Sequence, residues 1–168
     1  MTDTLDVLQI LTSQHSEVDE LFEQLESGKG DRVALFTQLA DKLAAHATIE
    51  EKIFYPAAMA TQTSDLLHES VEEHLEIKRL LADMLDLDPS GDADTFDAKL
   101  SVLKENVSHH AHEEEEAKLF PKLRKLLDVD ERAALGNEVL ALFESLIEQS
   151  PRFHVPEETA EAAPLPNA

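Results

Sequence analysis

Four stretches of the chain carry apolar residues at steps of three and four, and each interrupts its apolar stripe with a histidine. The first runs Leu5, Leu8, Leu11, His15, Val18, Phe22 and Leu25. The second runs Phe36, Leu39, Leu43, His46, Glu50 and Ile53. Leu67, Val71, His74, Ile77, Leu81 and Leu85 make the third, and Phe96, Leu100, Leu103, Val107, His110, Glu114 and Ala117 the fourth. This spacing marks one face of an α-helix, and such a face must be buried against others like it.

The boundaries agree. Helix one spans about Asp3 to Glu26 and ends in Ser27-Gly28-Lys29-Gly30, with glycine in its C-terminal role. Asp31 can cap the second helix and Ser64 the third. Pro89-Ser90-Gly91 marks a turn before the fourth helix, which Pro121 bends or restarts into Lys122–Leu127. Asp128 and Glu131 read as a capping box for a fifth helix over roughly 130–149. The predicted fold is all-α, an up-down four-helix bundle with a short fifth C-terminal helix over residues 1–150. Residues 151–168, with four prolines, read as a disordered tail.

Composition removes whole function classes. Lys and Arg number 14 against 36 Asp and Glu, a formal charge of −22, which repels nucleic acid and anionic membrane surfaces. Cysteine is absent, which excludes disulfides, iron–sulfur clusters, thiolate zinc and thiol catalysis within this chain. No stretch approaches the apolar length of a membrane span, and the first residues carry acids where a secretory leader carries bases, so the expected compartment is the cytoplasm.

A lone histidine in a core is an ordinary structural feature. Here the stripes together contain His15, His46, Glu50, His74, His110 and Glu114, and both Glu-bearing helices repeat the spacing i,i+4. Residues four apart share a helix face. An unpaired buried carboxylate costs several kcal/mol, and no Lys or Arg lies in these two stripes at that height. Metal ions supply the missing charge, and imidazole plus carboxylate suits iron, manganese or zinc. The pattern repeats after 64 residues, from His46 to His110 and from Glu50 to Glu114, which favours a pseudo-two-fold site for two metals.

The segments His46-Ala-Thr-Ile-Glu50-Glu-Lys-Ile-Phe-Tyr-Pro56 and His110 to Pro121 resemble the two signature segments of the hemerythrin-like, HHE cation-binding family. His15 and Glu73-His74-Leu-Glu-Ile77 resemble its single-histidine helices, and the resemblance covers about residues 5–148. It implies a non-haem di-iron centre in a four-helix bundle that binds dioxygen, peroxide or nitric oxide. The expected cofactor is two iron ions, with an oxo or hydroxo bridge as one form. The expected partner is a small diatomic ligand or peroxide rather than nucleic acid or membrane. Carrier, sensor, iron-handling and peroxide-decomposing roles stay open, as does whether the protein is an enzyme.

Two departures from the family stand out. Oxygen-carrying members have a second histidine four residues after the one on the third helix, where this chain has Lys78, expected to snorkel outward. His46 lies ten residues before Pro56, whereas His110 lies eleven before Pro121. The apolar stripe selects Glu114, with Glu115 as the alternative because relatives use an i,i+5 carboxylate there. His109, His112, Glu113 and Glu116 read as a solvated face, His68 as surface and Tyr55 as ordinary core. A competing function is a helical interaction or scaffold module with a structural metal such as zinc.

Overall fold

The computed structural model describes residues 5–168, so the expected helix start near Asp3 lies outside the described residues. Among the described residues the chain is all-helical, without strands. Helix α1 spans Val7–Glu26 and α2 spans Arg32–Ile49. Without a break, α2 continues through a π-helical turn, Glu50–Phe54, into α3, Tyr55–Ala58. Helix α4 is Ser64–Leu85 and α5 is Ala93–Ser108. A π-helical segment, His109–Leu119, joins α5 to α6, Phe120–Leu126; α7 is Val129–Ile147, and a 3₁₀ segment follows at Pro151–Glu158.

Short side chains set the helix starts. Asp6 accepts from the Leu8 N–H at 2.8 Å and Asp31 from the Ala34 N–H at 3.1 Å. Asp128 and Glu131 form the reciprocal capping box. Ser64 begins α4 but does not cap it; the preceding Thr63 hydroxyl donates to the Ala58 carbonyl at 2.6 Å and closes the loop instead. Gly28 and Gly30 both have left-handed backbones, φ 70° and 79°, which turn the chain between α1 and α2.

Helix α1 packs on α2 and α4 on α5, with further contacts from α1 to α5 and from α2 to α4. The buried stripes form two apolar clusters. One contains Phe22, Leu25, Phe36, Leu39, Leu81 and Phe96. The other contains Leu8, Leu11, Ile49, Phe54, Leu67, Phe120 and Val139. The seam histidines lie between them along each helix, so the polar layer has an apolar cap at either end. Helix α7 packs on α1 and α2, and a Cβ at Gly136 would collide with the Leu5 carbonyl oxygen, so only glycine allows that approach.

The C-terminal segment differs from the expected tail. Pro151 and Val155 are buried, and the 3₁₀ segment packs on α2 and α4. Arg152 grips the Asp41 carboxylate at 2.8 Å, and Arg79 donates to the Thr159 carbonyl at 3.1 Å. Proline-rich composition hid this, because a few well-placed apolar anchors and ion pairs suffice to dock a short segment. Among the described residues, no helix is long and apolar enough to cross a membrane.

Candidate metal centre

Four helical runs turn their histidines to one point. His46 Nε2 lies 2.9 Å from Glu50 Oε1, and His74 Nε2 lies 3.0 Å from Glu50 Oε2. His15 Nε2 and His110 Nε2 lie 3.2 and 3.4 Å from Glu115 Oε1. The Nε2 atoms of His74 and His110 are 3.0 Å apart. Glu50 and Glu115 are 0% exposed. Ligand atoms of His15, His46, Glu50 and Glu115 form one compact group, and those of Glu50, His74 and His110 form a second, sharing Glu50.

Every histidine is oriented from outside through Nδ1. His15 Nδ1 is 2.7 Å from Glu116, His74 Nδ1 is 2.9 Å from Glu51, and His110 Nδ1 is 3.1 Å from Glu73. His46 Nδ1 pairs with the Gln14 side-chain oxygen at 2.6 Å. An acceptor at Nδ1 fixes the proton there and leaves Nε2 with a free lone pair facing inward.

Four of the inward atoms, His15 Nε2, His46 Nε2, Glu50 Oε1 and Glu115 Oε1, are buried and make no well-aligned hydrogen bond; they face one another only as close imidazole–carboxylate pairs. Leaving four such atoms around one point is expensive unless a cation binds them. Burial by itself would lower the His15 pKa, yet Glu115 and Glu116 outweigh it and raise it to about 9. Burial opposes charge on Glu50 too, but His46, His110 and His74 hold its carboxyl well below the usual range. Burial disfavours the charged form of His110, and the Glu115 and Glu50 carboxylates push it well above its ordinary value. Without a metal, the buried carboxylates thus favour the protonated forms of His15, His74 and His110. The residues present fit a cation.

The structure brings together His15, His46, Glu50, His74 and His110 of the six residues selected by the stripes, and replaces Glu114 with Glu115. Glu114 turns to Lys118, 2.6 Å away. The cause is the π-helical segment. Its i→i+5 hydrogen bonds place residues five apart above one another, as residues four apart lie in an α-helix. His110 therefore aligns with Glu115. The prolines carried the signal: Glu50 lies six residues before Pro56 and Glu115 six before Pro121. Counting from proline to the carboxylate, rather than to the histidine, exposes the inserted residue. The Tyr55 N–H bonds to the Glu50 carbonyl and the Phe120 N–H to the Glu115 carbonyl, so both halves widen at the same place.

Tyr55, expected as ordinary core, reaches the centre. Its hydroxyl is 3.1 Å from both Glu50 Oε2 and Glu115 Oε2, and 3.2 and 3.3 Å from His74 Nε2 and His110 Nε2. Burial, then the Glu115 and Glu50 charges, push its pKa well above the usual value. Lys78 does not snorkel outward. It is 6% exposed, and its Nζ lies 2.9 and 3.0 Å from the two Glu51 oxygens. His109 and His112 stay at the surface, where they reach Glu73 at 3.3 Å and Glu116 at 2.8 Å. His68 is exposed and bonds to the Ser64 carbonyl.

A small cavity of about 30 Å³ adjoins the centre. Its walls combine His15, His46, His74 and His110 with Val18, Leu43, Ala47, Ile77, Val107 and Ala111, and Gln14 is its one other polar neighbour. A space of that size has room for a molecule of a few heavy atoms.

A curated relative described as a DNA nickase, from Nostoc sp. (strain PCC 7120 / SAG 25.82 / UTEX 2576), is 27% identical over 139 residues. The match takes in 82% of this chain and 39% of that protein, so the chain spans about two-fifths of the relative's length. No solved structure matches the chain at comparable significance. The family model described as Hemerythrin HHE cation binding domain matches residues 6–123, well over half of the sequence, and the chain belongs to that family.

Proposed function

We propose that the helical runs form an up-down four-helix bundle holding two iron ions, and that the protein handles dioxygen, peroxide or nitric oxide at this centre. The observation that carries the reading is the convergence of four imidazole Nε2 atoms on two carboxylates, with four of the inward atoms making no well-aligned hydrogen bond. His15, His46, Glu50 and Glu115 would hold one ion, and Glu50, His74 and His110 the other, with Tyr55 within reach of the second. Iron there would supply reversible binding of a small ligand, or electron transfer to peroxide.

The chain's own residues favour a small ligand. Val18, Leu43, Ile77 and Val107 give the cavity beside the centre apolar walls, and its volume of about 30 Å³ suits a diatomic or peroxide. Peroxide is the substrate that such a space favours for any catalysis. DNA nicking does not carry over to this chain: 36 acids against 14 bases repel a phosphate backbone. The test is metal analysis and visible absorption of protein purified with and without air. Two irons per chain and a charge-transfer spectrum in the oxidised form are expected. One zinc and no colour would overturn the reading in favour of a structural metal in a scaffold.

A further inference from the structure

We propose that Lys78 is a positioning residue for the metal position built on His74, acting through Glu51. This rests on the two-metal reading. Lys78 stands one turn after His74 on α4, and Glu51 comes from the π-helical turn that follows α2. The Lys78 ammonium grips both oxygens of Glu51, and Glu51 Oε1 accepts from His74 Nδ1 at 2.9 Å. One oxygen thus takes the lysine and the imidazole together, so the lysine sets where the imidazole points.

No other histidine of the centre is held this way. Glu116 and Glu73, behind His15 and His110, also pair with surface imidazoles, those of His112 and His109, which lie 37% and 50% exposed. Behind His46 stands the neutral Gln14 amide. Only Glu51 is tied to a permanent cation, and the side chains of Lys78 and Glu51 are 8% and 9% exposed. The C-terminal segment closes over the pair, bringing Glu158 to 3.7 Å from Nζ. Without the ammonium, Glu51 becomes a buried carboxylate with no cation. It must then take a proton or turn toward water, and either change removes the charged acceptor that aims His74 Nε2 inward.

The test compares wild type with Lys78→Met, Lys78→Arg, Glu51→Gln, the Lys78→Met/Glu51→Gln double variant and His74→Ala. Each is titrated anaerobically with Co(II) against a competing chelator, with the d–d absorption as readout and circular dichroism as the check on folding. His74→Ala identifies the metal equivalent that depends on His74. Lys78→Met and Glu51→Gln should each weaken that equivalent by roughly 10–100-fold and change its absorption, leaving the other unchanged. Lys78→Arg should restore it, and the double variant should be no worse than either single one. Unchanged affinity and spectrum in folded Lys78→Met overturns the proposal, as does a double variant whose losses multiply. If Lys78→Met does not fold, the Glu51→Gln and Lys78→Arg results decide by the same criteria. A wild type that binds one ion instead of two overturns the two-metal reading, while the variants still decide whether Lys78 acts on the ion that His74 holds.

Discussion

Tyr55 and Phe120 hold equivalent places in the two halves of the chain. Each precedes a proline, each donates its N–H to the carbonyl of a centre glutamate, and each stacks on a centre histidine. Tyr55 lies 5.5 Å from the His74 ring and Phe120 6.3 Å from the His15 ring. The single chemical difference is the hydroxyl, which points into the ligand cluster in one half only. The two halves of the ligand cluster are thereby made unequal at this place.

Tyr55→Phe should therefore keep two metal ions but change the spectrum of the oxidised, iron-loaded protein, with any phenolate band lost. Stability should fall by only about 1 kcal/mol, the usual net worth of a hydrogen bond. Absorption and resonance Raman spectra check this. Identical spectra for variant and wild type would remove Tyr55 from the donor set.

Glu115→Gln should cost at least one metal equivalent, and Glu114→Gln should cost none. Glu115 is fully buried among His15, His110 and Tyr55, whereas the best partner of Glu114 is Lys118, whose side chain is 56% exposed. Likewise His110→Ala should empty a position, while His112→Ala should keep both ions, because His112 reaches only Asp19 and Glu116 at the surface. Elemental analysis of the four variants decides. Metal loss in Glu114→Gln with retention in Glu115→Gln would mean that the fourth run is regular α-helix in solution.

The sequence displayed the four histidines and Glu50 because regular α-helical steps put them in line with Leu, Val and Phe. Glu115 broke the pattern because the backbone there is π-helical, and no side-chain periodicity computed for an α-helix could select it. Lys78 and Tyr55 were missed for another reason. Their roles depend on partners from elsewhere in the chain: Glu51 and Glu158 for the lysine, Glu115 and His110 for the tyrosine. Docking of Val155 and Pro151 was hidden in the same way. Only the packed structure shows the groove that receives them.

Metal removal should destabilise the protein more as pH rises. The unfolded His15 has its ordinary pKa of 6.5, whereas in the folded metal-free chain it is raised to about 9. A raised folded pKa contributes stability that is complete below about 6.5 and is lost as pH climbs through about 9. His74 and His110 are shifted the same way. Bound metal replaces these protons, so loaded protein escapes this loss and metal affinity increases with pH. The gap in melting temperature between loaded and chelated protein should widen from pH 6.5 to pH 9. A gap that is constant or narrows would mean that the carboxylates are balanced by something other than these imidazoles.

The cavity gives the last prediction. Ala47 follows His46 and lines the cavity, as does Leu43 one turn earlier. Ala47→Leu adds three carbons to a space of about 30 Å³ and should fill it. Overpacking of this kind costs about 1–3 kcal/mol, which a metal-stabilised core can bear. Both metal ions should remain, because neither Ala47 nor Leu43 carries a ligand atom. Azide, a three-atom probe, should then bind the loaded protein at least tenfold more weakly. Leu43→Ala enlarges the same space at a cost of about 2–5 kcal/mol and should leave azide binding intact or faster. Azide titrations followed by visible absorption separate the outcomes. Equal azide affinity in Ala47→Leu and wild type, with two metals in each, would show that exogenous ligands reach the centre by another side.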